Sequence, residues 1–131
     1  MTAAISDVPL VSFTIPIRTV SEANAHEHWR VRQKRAKAQR ELAGFACLAR
    51  ASAMHRAGRA MVSGGLIVNL TRIAPRPLDS DNNVGSGKHL RDGIADALGI
   101  DDRDPRVTWE YAQERGGVGV YGVRVEIRRR A

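Results

Sequence analysis

The sequence predicts a single α+β domain: a mixed β-sheet in the order β-α-β-α-β-β, with one long basic helix. Three observations carry that prediction. The 131 residues are enough chain for one buried core. Hydrophobic residues at 43% and charged residues at 27% are ordinary globular proportions, so a folded chain is expected. Segments of alternating hydrophobicity are interleaved with two segments of helical period. No repeat, linker or low-complexity stretch divides them, so residues 1–131 read as one domain.

Pro9 to Ile17 reads as a short β-rich segment broken by Pro16. Ser21 is the expected N-cap of a helix running to about Ala57. In its second half Ala38, Leu42, Phe45, Ala49, Ala53 and Met54 form an apolar stripe expected to face the core. Its first half carries Arg30, Arg32, Lys34, Arg35, Lys37 and Arg40 around most of the circumference. With only Trp29 and Val31 to bury, that end is expected to project. Gly58 and Gly64-Gly65 close the segment. Leu66 to Ile73 follows as a strand with Leu66, Val68 and Leu70 on one face. Leu90, Ile94 and Leu98 then predict a short helix from about Ser86 to Leu98, ended by Gly99. Val107 to Tyr111 alternates as a strand, and Gly116-Gly117 turns into Val118 to Arg128. There Tyr121, Val123, Val125 and Ile127 oppose Arg124, Glu126 and Arg128.

Composition narrows the function classes. Lys and Arg number 21 against 14 Asp and Glu, a net charge of +7, which points to a polyanionic partner, most simply nucleic acid. Aromatic residues at 5% argue against a surface that stacks bases. Cys47 is the single cysteine, which excludes an intrachain disulfide and a Cys-rich zinc module, and fits a reducing cytoplasm. It is expected to pack rather than to act as a nucleophile. No apolar run approaches the roughly 20 residues that cross a bilayer, so no membrane partner is expected. The opening MTAAISDVPLV shows no basic segment before a long apolar one, so no export signal is expected. His26 and His28, two apart on the expected helix, face different ways and make a poor metal pair. Trp29 and Trp109 are expected as core or interface anchors.

The charge is unevenly spread. Ten basic residues between Arg18 and Arg59 meet only Glu22, Glu27 and Glu41, whereas seven aspartates between Asp79 and Asp104 meet only Lys88, Arg91 and Arg103. Asp79 and Asp81 stand two apart after a strand and two prolines, in what is expected to be extended chain, where residues i and i+2 point the same way. Mg²⁺ takes carboxylate oxygens and keeps several waters, so two or three aspartates beside a phosphodiester are the parts of a metal-assisted nuclease. Asp101 and Asp102 are candidates for the third carboxylate, with Asp104 behind them. Asp92 and Asp96 are expected on a solvated helix face, with Lys88 and Asp92 spaced for an i,i+4 pair. An EF-hand begun at Asp79 fails at Val84 and Leu90. A P-loop ending at Gly87-Lys88 fails at Asn82 and His89.

Leu78-Asp79-Ser80-Asp81-Asn82, Lys88 with Asp92 four residues on, and Asp101-Asp102 ahead of a strand resemble the RusA family of Holliday-junction resolvases. The opening strand, Ser21-Glu22-Ala23-Asn24 and the basic helix are similar to the start of its phage and prophage members. The resemblance covers most of the chain, although the gap from Asp81 to Lys88 is longer than in the best-known members. It implies a homodimeric, Mg²⁺-dependent endonuclease (Mn²⁺ being a possible substitute) that nicks four-way DNA junctions symmetrically in recombination and repair. By it Asp79, Asp81 and a member of the Asp101-Asp102 pair, Asp102 first, are the implied metal ligands. Lys88 is implied to bind phosphate or stabilise the transition state, and Asn82 matches the family asparagine. Asn24, Arg30, Arg32, Lys34, Arg35, Lys37 and Arg40 are the expected DNA contacts.

One length consideration bears on assembly. A helix of about 13 residues spans roughly 20 Å, and it separates Asp79 and Asp81 from Asp101 and Asp102. Either the loops fold back along it, or Asp102 comes from a partner across a two-fold axis. Two alternatives remain: a nuclease of the same fold acting on other branched DNA, and a non-catalytic DNA-binding module.

Overall fold

Alternation in the first strand, β1 (Val11–Ile15), buries Val11, Phe13 and Ile15 and leaves Ser12 and Thr14 in water. β1 belongs to a computed structural model that describes residues 8–22 and 27–130. Two helices follow, α1 (Trp29–Leu48) and α2 (Ala51–Ser63). Then come β2 (Leu66–Ala74), the short α3 (Ser80–Ser86), α4 (Lys88–Leu98), β3 (Val107–Arg115) and β4 (Gly122–Arg129). The chain is therefore α+β with a four-stranded mixed sheet, as expected, its strands in the order β1-β4-β2-β3.

β4 pairs antiparallel with β1 and with β2, while β2 and β3 run parallel. A parallel pair needs a crossover, which α3 and α4 supply. The core lies between one sheet face and the helices. Leu66, Val68 and Leu70 of β2 and Val123, Val125 and Ile127 of β4 meet Met54, Ala57 and Met61 of α2 and Leu90 and Ile94 of α4. Gly99, at φ +73°, ends α4 in the left-handed conformation; its N–H and that of Ile100 satisfy the last carbonyls of the helix.

The first helical segment departs from expectation in three ways. Ser21 does not cap it. The helix begins at Trp29, where the His28 side chain accepts from the Arg30 N–H at 3.2 Å. It is also not continuous to Ala57, because Arg50 leaves helical geometry (φ −121°, ψ 43°) and splits it in two. A single helix of that length would run roughly 55 Å, far beyond a small domain. The break lets α2 turn back onto the sheet, with Arg50 stacked 4.7 Å over the Phe13 ring. Finally, α1 buries Gln39, Ala43 and Cys47, while Ala38, Leu42, Phe45 and Ala49 are exposed. The helix is turned by about one residue, roughly 100°, from the predicted stripe. The reason is its crossing with α4, where a Cβ on Gly93 would stand 2.3 Å from the Arg40 carbonyl oxygen and 2.8 Å from the Ala43 Cβ. So close an approach admits only small residues at the contact, and the bulky apolar ones are rotated outward. Among the described residues no helix is long and apolar enough to cross a membrane.

Candidate functional site

Asp79 follows β2 by a short segment containing Pro75 and Pro77, at the carboxyl end of the parallel β2–β3 pair. Open α/β sheets commonly bind ligands at that end. The chain is extended through Asp79 (φ −65°, ψ 165°) but turns helical at Ser80, so the extended run expected across both Asp79 and Asp81 is not formed. Asp79 is the N-cap of α3, and Asp81 lies in its first turn. An aspartate at this position satisfies a free helix N–H, so α3 starts directly beyond the proline segment. The Asp79 carboxylate accepts from the Asn82 backbone N–H and from the Asn82 Nδ2, both at 2.9 Å. The Asn82 Oδ1 in turn accepts from the Ser21 hydroxyl at 2.9 Å, across 61 positions of sequence.

Two further contacts fix this turn to β3. The Gln113 side chain grips the Leu78 backbone at both ends, accepting from its N–H at 2.8 Å and donating to its carbonyl at 2.6 Å. Asn83 donates to the Ala112 carbonyl at 3.3 Å. Neither Gln113 nor Asn83 carries a sequence signal that singles it out, because each works through a backbone partner distant in the chain. Asp79 and Asp81 are exposed, as is Lys88 at the start of α4.

The second acidic group lies elsewhere. The Asp102 carbonyl accepts from Arg91 at 2.7 Å and from the Trp109 indole at 3.1 Å, and its carboxylate stands 3.5 Å from the Arg91 Nε. Arg91 also donates to the Tyr111 hydroxyl at 3.0 Å and stacks 4.7 Å over the Trp109 ring. Asp101 accepts from the Arg103 N–H at 2.8 Å. Asp104 is taken up by Arg106, whose side chain and backbone N–H hold its pKa down to about 2.

Asp96 is exposed, as expected of a solvated face, but Asp92 is half-buried, and no ion pair joins it to Lys88. Asp92 and Asp96 share a polar recess of about 260 Å³ with Asp101, Asp102 and Arg40. Arg40 pairs with Asp96, which lowers the Asp96 pKa and raises that of Arg40. The two acidic groups are anchored four residues apart on β3, at Gln113 and at Trp109, about 13 Å of strand. Among the described residues no three His, Cys, Asp or Glu side chains come together as a metal-holding group.

The basic helix divides in the same way. Arg30, Arg32, Lys34 and Lys37 are exposed, with Arg30 lying 5.4 Å from the Trp29 ring. Arg35 and Arg40, both expected to face DNA, are committed within the chain. Arg35 is half-buried and chelated by Glu22 (2.8 and 3.0 Å) and Glu27 (2.7 and 3.0 Å), which raise its pKa further. Glu22 also stands 3.9 Å from His89. Arg35 thus ties α1 to the segment that carries Ser21, and Ser21 ties that segment to Asn82. Asn24 and His26 lie outside the described residues. Cys47 is buried, and burial pushes its pKa up to about 11, where a thiolate nucleophile is not formed.

A scan against protein-family models gives no match, and a search of curated proteins gives none either.

Proposed function

We propose that the protein is a metal-dependent endonuclease acting on branched DNA, with the four-way junction as its substrate. The supporting observation is the chain of contacts from Arg35 through Glu22 and Ser21 to Asn82 and Asp79. It joins the basic helix and the segment ahead of it to the exposed Asp79–Asp81 turn, which supports a reading in which the exposed cations of α1 hold phosphates while the carboxylates hold a metal. Paired acids next to phosphates oppose binding unless a cation intervenes.

Asp79 and Asp81 offer the hard oxygen donors that Mg²⁺ prefers, and each Asp79 oxygen keeps a lone pair beyond its bond to Asn82. When bound, such an ion lowers the pKa of water and neutralises charge on the transferring phosphate. The chain's own residues do the rest. Asn82 orients the Asp79 carboxylate, Gln113 holds the backbone ahead of it, and Lys88 offers an exposed ammonium to a phosphate oxygen. Arg30, Arg32, Lys34 and Lys37 hold the DNA backbone without reading sequence.

Asp79 and Asp81 stand at one helix start while Asp102 is anchored at Trp109, away from Gln113 on β3, so we infer that Asp102 is contributed by a second copy across a two-fold axis. That arrangement suits two symmetry-related nicks. A mobile four-way junction, a flap and a linear duplex, each with Mg²⁺ and with EDTA, test the reading. Paired nicks confined to the junction are expected, and they disappear in Asp81→Asn while binding is kept. Binding without cleavage in Mg²⁺ or Mn²⁺ would overturn the nuclease assignment. Mixing Asp81→Asn with Asp102→Asn chains tests the shared site separately. A site built across two chains recovers single nicks in the mixture, whereas a site within one chain recovers none.

A further inference from the structure

The rotation of α1 leaves a feature that a nuclease site does not use. Between the second half of α1, the length of α2 and the end of α4 runs a groove of about 1020 Å³. Phe45, Leu48 and Val62 line it at 66%, 71% and 75% exposure, and Gly44, Met54 and Gly58 form part of its floor. Three large apolar side chains held in water on one concave face are unusual outside an interaction site. The α1 segment lining it, from Lys37 to Leu48, spans 11 residue steps, roughly 17 Å, which is the length of a three-turn helix.

The charge around the mouth selects the occupant. Lys37 and Arg59 flank the groove, and Arg56 is exposed on the same helix as Arg59. Glu41 and Asp96 are the acids of the lining, and Asp96 is already neutralised by Arg40. A second copy docked through this face would set the surplus of Lys37, Arg56 and Arg59 over Glu41 on one chain against the same surplus on the other, which like-charge repulsion opposes. We propose that the groove docks an amphipathic helix of a partner protein. Its apolar residues, spaced i, i+3, i+4 and i+7, fill the floor between Phe45 and Val62, and its flanking positions carry Asp and Glu against Lys37 and Arg59. This inference is independent of the nuclease reading, since none of the carboxylates assigned to metal or of the exposed α1 residues assigned to DNA, Lys37 apart, takes part in it.

The probe is a fluorescent peptide of about 12 residues with Leu at the i, i+3, i+4 and i+7 positions and Glu at most others, beside a second peptide with the same leucines and Lys for Glu. Titration by anisotropy with the full chain is expected to give saturable binding of the acidic peptide at least about tenfold tighter than of the basic one. Phe45→Ser with Val62→Ser removes exposed side chains only, so the far-UV circular dichroism should be unchanged and the acidic peptide should bind about tenfold more weakly or worse. Arg59→Glu supplies a second variant that leaves the apolar floor intact. It is expected to narrow or reverse the preference between the two peptides. Equal binding of both peptides, or affinity untouched by these variants, overturns the proposal. So does a dimer in sedimentation that Phe45→Ser with Val62→Ser converts to monomers and that the acidic peptide fails to displace, since the occupant is then a second copy.

Discussion

At the scale of single residues, burial and immediate partners separate side chains that look alike in sequence. Of the aspartates following the α4 helix, Asp104 alone has its pKa held down to about 2, by Arg106. A carboxylate whose folded pKa lies below its ordinary value stabilises the fold above that value, and the contribution is lost as pH falls through the folded pKa. Native protein is therefore expected to exceed Asp104→Asn in urea midpoint at neutral pH. The gap should hold down to about pH 4 and narrow as pH falls toward about 2; a gap independent of pH would contradict the pairing. Cys47 gives a second check. Buried and with its pKa pushed up to about 11, it should resist a maleimide in the folded protein and react at once in denaturant. That Cys47 packs was legible from its place near apolar residues. That Arg35 is chelated by two glutamates was not, because Glu22 meets it across 13 positions and a break in secondary structure.

The elements show where pattern reading succeeds and where packing overrides it. The strands were legible because alternation repeats every two residues whatever the neighbours, and α4 was legible from Leu90, Ile94, Leu98 and Gly99. The facing of α1 was not. A stripe is chosen in sequence by the bulk of its apolar residues, whereas the α1–α4 crossing is decided by the smallest ones, Ala43 and Gly93. Gly93→Ala is accordingly expected to lower stability by about 1–3 kcal/mol, the usual effect of overpacking a tight contact, measured by denaturant unfolding. Gly44→Ala, one position along α1 from Ala43, meets nothing within 4 Å, and helix propensity alone should raise stability by about 0.5–1 kcal/mol. Equal effects of the two substitutions would place the helix contact elsewhere. The turn at Asp79 follows the same logic: prolines favour extended chain, but an N-capping aspartate starts α3 beyond them.

For the whole molecule, the net charge of +7 is a sum over surfaces that serve different ends. Arg35 and Arg40 are balanced internally, so the cations free for a polyanion are fewer than composition suggests. Arg32→Ala with Lys34→Ala is expected to weaken duplex binding broadly and to reduce the slope of log affinity against log salt by about two. Arg35→Ala should lower stability instead and leave that slope nearly unchanged. An equal loss of slope from Arg35→Ala would mean that its ion pairs open on DNA. The α+β class, the strands and the existence of an acidic stretch follow from the sequence alone, because hydrophobic period and composition are local properties of a chain. The meeting of Ser21 with Asn82, the grip of Gln113 on Leu78, the separation of Asp79 and Asp81 from Asp102 and the outward turn of Phe45 were decided only by the tertiary structure. Each of them joins positions far apart in the chain, or sets the rotation of a helix about its own axis, and packing between distant segments is what selects among the alternatives that local pattern leaves open.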